Sequence, residues 1–153
     1  MWGNPTKKDE QQLASFVKKF NVEYIRNEMQ LDDYIIGKQF KSTFYYIIER
    51  KLDFVGGIKG ATSFKFGIYY GTTRSDSNPE YRFTSKFGKN KYDVFKTVKE
   101  ELASLIERTQ TLNKFKEIDS LITGMFKHKI MFCYNPKILL PVYSIDDFET
   151  LCK

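Results

Sequence analysis

The stretch Gly56-Gly57-Ile58-Lys59-Gly60-Ala61-Thr62-Ser63-Phe64-Lys65-Phe66-Gly67-Ile68-Tyr69-Tyr70-Gly71 decides how the rest of the chain is read. Its first five residues hold three glycines, a composition that breaks either regular element. From Ser63 to Gly71 the pattern alternates. Phe64, Phe66, Ile68 and Tyr70 fall on one side, and Lys65, Gly67 and Tyr69 on the other. That is the period of a strand with one buried face. The run Thr72 to Pro79 is made of turn-forming residues, and Tyr81-Arg82-Phe83 follows as a second extended segment. The spacing predicts an antiparallel hairpin with Lys65 and Tyr69 facing outward together.

Upstream, the pattern is helical. Thr6 and Asp9 stand at capping-box spacing, and Leu13, Phe16, Val17 and Phe20 form one apolar stripe. Val22, Ile25 and Met29 continue the period as a second short helix, and Gly37 closes the region. Residues 40–55 suit a helix through Phe40, Phe44, Ile47, Ile48 and Leu52, although Phe44 to Ile48 is dense enough in aromatic and β-branched residues to be a strand.

Downstream, Lys91 to Arg108 carries a long stripe of Phe95, Val98, Leu102, Leu105 and Ile106, with Lys96 and Glu100 at i, i+4. A shorter helix is predicted over Phe115 to Ile122, ending at Gly124. Lys129 to Tyr134 reads as a strand, Asn135-Pro136 as a turn, Ile138 to Tyr143 as extended, and Ser144 as the cap of a last helix. The expected architecture is α+β, a small and mostly antiparallel sheet packed with several helices. It forms a single domain over 1–153, with 1–39 as a helical N-terminal extension and 40–153 as the core.

The chain has 153 residues, 41% hydrophobic and 29% charged, enough to build a core without staples. Phe and Tyr are abundant, at 14 and 10 residues. Cys133 and Cys152 form no CxxC or Cys/His cluster, no run is long enough to span a membrane, and the first ten residues are not signal-like. A soluble cytoplasmic protein is expected. The net charge of +6 is unevenly placed. Lys59, Lys65, Arg74, Arg82, Lys86, Lys89, Lys91 and Lys96 face only Asp76, Glu80 and Asp93 within 59–96, so that segment holds +5 of the excess. Basic residues concentrated in one segment are the footprint of a polyanion-binding surface.

Catalytic signatures are sparse. His128 is the one histidine, without a nucleophile or orienting acid announced by any motif, and reads as a surface or strand-edge residue. No GxxxxGK[ST] phosphate loop is present, and the His and Cys residues lack zinc-site spacing. No cofactor is expected. Glu49-Arg50-Lys51 with Asp32 and Asp33 upstream gives one catalytic alternative, a small metal-dependent nuclease using Glu49 and Lys51. That reading needs 42–52 to be a strand, because on a helix Glu49 and Lys51 point to different faces. A protein-interaction domain with an aromatic face and an RNA-binding module are further readings.

Gly57-Ile58-Lys59-Gly60 and Ser63-Phe64-Lys65-Phe66-Gly67-Ile68-Tyr69-Tyr70-Gly71 resemble the N-terminal specificity domain of McrB-like AAA+ GTPase restriction proteins. Similar segments follow in order: Tyr81-Arg82-Phe83, Lys86-Phe87-Gly88, the helix from Tyr92, Met125-Phe126-Lys127-x-Lys129-Ile130, Tyr134-x-Pro136 and Leu140-Pro141-Val142-Tyr143-Ser144. Together they span about 44–150. The resemblance implies a non-catalytic module that binds double-stranded DNA at a specific or modified, for example methylated, site. It also implies that the GTPase motor lies elsewhere and that a McrC-like nuclease subunit is engaged through the full-length protein. Family folds vary and include PUA-like types. The basic and aromatic positions carried as candidate DNA contacts are Lys59, Lys65, Tyr69, Arg74, Tyr81, Arg82, Lys86, Lys89 and Lys91.

Overall fold

The computed structural model describes residues 5–58, 62–111, 118–122 and 124–137. It is an α+β structure, mostly helical, with one small antiparallel sheet.

Helix α1 spans Lys7–Lys19 and starts where the capping box places it. The Thr6 hydroxyl accepts from the Asp9 amide, while the Asp9 carboxylate accepts from the Thr6 amide at 2.9 Å. Its inner face buries Phe16, and Phe20 just beyond its end is buried too. Both rings pack on Phe44, and Phe16 also meets Tyr134. The first forty residues therefore share one core with the rest of the chain. Each such buried ring contributes about 1.5–3 kcal/mol.

A π-helical turn at Tyr24–Glu28 and the short α2, Leu31–Tyr34, follow. Of the two readings left open for 40–55, the helical one holds over residues 44–51 and 53–55. Helix α3, Phe44–Tyr46, runs on as a π-helical turn at Ile47–Lys51 and a 3-10 turn at Asp53–Val55.

The deciding stretch departs from its pattern. Thr62–Phe66 is a helical turn, α4, and only Ile68–Gly71 is strand, β1. The alternation fails because Phe66 and Lys65 both need inward neighbours. Phe66 sits between Tyr45 and Phe126, while Lys65 pairs with Glu49. Adjacent residues on a strand would point to opposite faces, whereas a helical turn sets them about 100° apart. Gly67 ends the turn at φ 81° and redirects the chain into β1.

Strand β2, Glu80–Phe83, pairs with β1 in the register Ile68↔Phe83, Tyr69↔Arg82, Tyr70↔Tyr81 and Gly71↔Glu80, the expected hairpin. Loop 36–37 lies along the free edge of β1, where the Tyr70 amide donates to the Ile36 carbonyl at 3.0 Å.

Helix α5, Lys91–Thr111, matches its periodicity and runs one turn further than expected. Asn90 caps it, accepting from the Tyr92 and Asp93 amides at 3.0 Å. Glu100 and Glu107 both bind Arg26, which ties α5 to the π-helical turn.

Two downstream expectations are overturned. Described residues 118–122 are not helical, and Gly124 opens a helix instead of closing one. That segment is held to α5 by Glu101, which accepts from Ser120 and the Leu121 amide. Gly124–Tyr134 is helix α6, not a strand from Lys129. Phe126, Ile130, Met131, Phe132, Cys133 and Tyr134 are all buried, so apolar residues surround the helix and its 3.6-residue period is hidden. The turn at Pro136 is present, while the extended segment and last helix expected over 138–153, with Cys152, lie outside the described residues. Cys133 is a buried free thiol. No helix among the described residues is long and apolar enough to cross a membrane.

Two tertiary contacts lead to predictions. Gly37 has φ 111°, and a Cβ there would overlap the Tyr70 carbonyl oxygen. Gly37→Ala should cost at least about 1–3 kcal/mol in denaturant unfolding, and an unchanged midpoint would contradict the edge contact. Lys129 is 0% exposed and donates to the Gly56 carbonyl at 2.7 Å. Burial, partly offset by Cys133, Asp53 and Glu49, brings its ammonium down to about 8. The folded chain therefore releases this proton before the unfolded chain does. Stability relative to Lys129→Met should rise between about pH 8 and 10.5, by up to about 3 kcal/mol, in paired urea titrations.

Candidate nucleic-acid interface

The hairpin has two faces set by its register. Ile68, Tyr70, Tyr81 and Phe83 share the face that carries fully buried Ile68, and Tyr69, Arg82, Gly71 and Glu80 share the other. Tyr69 does face away from Ile68, as its position in the sequence suggests. Lys65 does not join it. Its side chain is only 9% exposed, and its ammonium donates to the Glu49 carboxylate at 2.7 Å and to the Ile58 carbonyl at 3.1 Å. With its charge and its hydrogen bonds committed inside the fold, Lys65 is removed from the contact surface.

Arg82 lies directly across from Tyr69, but its guanidinium turns back on its own hairpin. It pairs with Asp76 at 2.6 Å and Glu80 at 2.7 Å, and donates to the Asn78 carbonyl at 3.1 Å. The hydrogen bond to Asp76 is the main reason the arginine is held even more firmly protonated than usual. This residue braces the 72–79 loop. A phosphate would have to displace two carboxylates to reach it.

Tyr81 is likewise engaged. Its hydroxyl donates to Asp32 at 2.8 Å and accepts from the Lys38 ammonium, which also pairs with Asp32 at 3.0 Å. Lys38 and Lys91 both lie over its ring, at 4.6 and 4.5 Å, and Tyr70 packs edge-on against it. Partial burial acts to raise the Asp32 carboxyl, but the hydrogen bonds from Tyr81 and Lys38 outweigh it and hold the group below the usual range. The hydrogen bonds that the Lys38 ammonium donates to Tyr81 and Asp32 in turn hold it above the usual lysine range. This triad joins residues 43 and 49 positions apart, which no local pattern announces.

The remaining candidates reach the surface. Arg74 is exposed in the hairpin loop, and Lys86 and Lys89 are exposed on the segment joining β2 to α5. Lys86 lies 5.9 Å over the ring of Phe64, which is 65% exposed. Lys91 lies 5.0 Å over the ring of Tyr92, which is 70% exposed. Phe64 and Tyr92 are site candidates that sequence reasoning missed. The strand alternation sets Phe64 beside Phe66 on the buried face, whereas the helical turn points it outward. Tyr92 lies off the buried stripe of α5 and next to Lys91, a signal that was present in the periodicity. Lys59 lies outside the described residues.

The carboxylates of the nuclease alternative do not converge. Residues 44–51 are helical, Glu49 turns to Lys65, and Lys51 is exposed. Asp32 serves Tyr81 and Lys38, and Asp33 accepts from the Gln30 amide at 2.9 Å. His128 is exposed on α6. Among the described residues no group of three or more His, Cys, Asp or Glu side chains could hold a metal ion.

Lys65→Ala separates a structural role from a binding one. Removing the lysine leaves the largely buried Glu49 carboxylate with only the long 3.8 Å contact to Arg50, at a cost of about 3 kcal/mol. The expected outcome is a lowered unfolding midpoint with DNA affinity unchanged at temperatures where the variant is folded. Lost affinity with an unchanged midpoint would return Lys65 to the interface.

No protein-family model, curated protein or solved structure matches this chain.

Proposed function

We propose that this chain is a non-catalytic DNA-binding module. The reading is supported above all by the surface at Lys86 to Tyr92, where exposed Lys86 lies over the exposed ring of Phe64, Lys89 is exposed, and Lys91 lies over the exposed ring of Tyr92. Lysines that keep a hydrated ammonium at the surface can neutralise phosphates and release counterions, giving affinity independent of sequence. Exposed rings beside them offer a face on which a base can stack. Tyr69 on the outer face of the hairpin and Arg74 in its loop are further candidate contacts. The resemblance of the Lys-Phe-Gly-Ile-Tyr-Tyr segment to McrB-like specificity domains gives the module its context. In that context it is a cytoplasmic recognition unit of a restriction system, reading a specific or methylated site in duplex DNA. It delivers a GTPase motor and a McrC-like nuclease subunit that act from other segments or chains.

The test is a duplex-binding titration at several salt concentrations. Lys86→Ala/Lys89→Ala should weaken binding to every duplex alike and reduce the slope of log K against log salt by about two. Tyr92→Ala should instead narrow the affinity difference between methylated and plain duplexes. Binding that does not respond to salt, or a wild-type chain that leaves duplex DNA unbound, would overturn the proposal in favour of a protein-interaction domain.

A further inference from the structure

A second surface lies outside the basic segment, on the loop that follows α2. Ile36, Gly37, Gln39, Phe40, Lys41 and Tyr46 line a depression of about 500 Å³. The loop is anchored on both sides of its tip. Tyr70 donates to the Ile36 carbonyl at 3.0 Å, and Lys38 is held by Asp32 and Tyr81. On the far side, Lys19 donates to the Ser42 carbonyl at 2.7 Å. Between these anchors Gln39 is held at φ 63°, a left-handed conformation that glutamine rarely adopts. Beside it Phe40 is 55% exposed, although its apolar ring would gain from burial.

The lining is chemically selective. It offers two aromatic side chains, one amide and one ammonium, and no carboxylate. Next in sequence to Lys41, the Ser42 carbonyl holds a second exposed ammonium, that of Lys19. An aromatic face suits a flat conjugated ring, a primary amide can both donate to and accept from a base edge, and flanking ammonium groups suit the phosphates on either side. From this combination we infer that the 36–41 cleft takes one unpaired nucleobase of a DNA strand. The inference rests on the reading of the chain as a DNA-binding module and names a second contact for it, separate from Lys86 and Lys89. Residues 1–58 are almost balanced in charge, so the local cation pair at Lys19 and Lys41 is invisible in segment totals.

Fluorescence anisotropy with a short labelled oligothymidine and with a blunt duplex tests it. Phe40→Ala should weaken the oligothymidine at least about five-fold, leave the duplex within roughly two-fold, and leave thermal unfolding unchanged because the ring is exposed. Gln39→Gly, which removes the amide and eases the backbone, should reduce the difference in affinity between oligothymidine and oligodeoxyadenosine. Equal affinity of wild type and Phe40→Ala for oligothymidine, or equal weakening on both substrates, overturns the cleft. If the wild-type chain binds the duplex through Lys86 and Lys89 while Phe40→Ala changes nothing, the cleft falls and the DNA-binding reading stands. Phe40-dependent binding of the single strand without duplex binding supports the cleft and removes duplex recognition. A chain that binds neither substrate overturns both.

Discussion

Phe66 is the residue on which the arrangement turns. Its ring lies between Tyr45 and Phe126, joining α4 to both α3 and α6, and its carbonyl accepts the Tyr34 hydroxyl at 2.7 Å from α2. Four elements therefore meet at one side chain and its own peptide group. The left-handed Gly67 immediately after it sets the direction of β1, where a Cβ would press on Phe87 and Val98. The position of the hairpin over α5, and so of every residue considered for DNA contact, follows from how this single turn is seated.

Burial at that junction also sorts the cations. Lys65 and Lys129 lie inside and grip the carbonyls of Ile58 and Gly56, holding the backbone on either side of Gly57. Arg82 and Lys38 lie near the surface but are matched by carboxylates. Arg74, Lys89 and Lys41 are exposed, the last next in sequence to the exposed ring of Phe40, while Lys86 lies over the exposed ring of Phe64 and Lys91 over that of Tyr92. A charge total over a segment counts all of these equally, whereas the field outside the protein is set by those whose charge is neither buried nor paired.

The limits of pattern reading follow the same logic. The cap at Thr6, the helix from Lys91 and the hairpin from Ile68 to Phe83 were legible because each is specified by residues within a few positions of one another. The α4 turn and α6 were not. Their alternating sequences satisfy a strand locally, and only the neighbours they meet, Glu49 for Lys65 and the core for nearly every residue from Phe126 to Tyr134, favour the helix. For the candidate site, Tyr69, Arg74, Lys86 and Lys89 were read at the surface where they lie, while Lys65 and Arg82 are drawn off by partners.

The sequence by itself determined an α+β chain with a capped first helix, a long amphipathic helix, one antiparallel hairpin and a basic middle segment. All of these depend on period, propensity and composition. Tertiary structure alone decided that Phe64 is exposed while Phe66 is core, that Tyr81 is locked to Asp32 and Lys38, and which lysines keep their charge in water. The reason is physical: exposure and ion pairing depend on groups brought together from distant positions, and alternation along the chain carries no information about them.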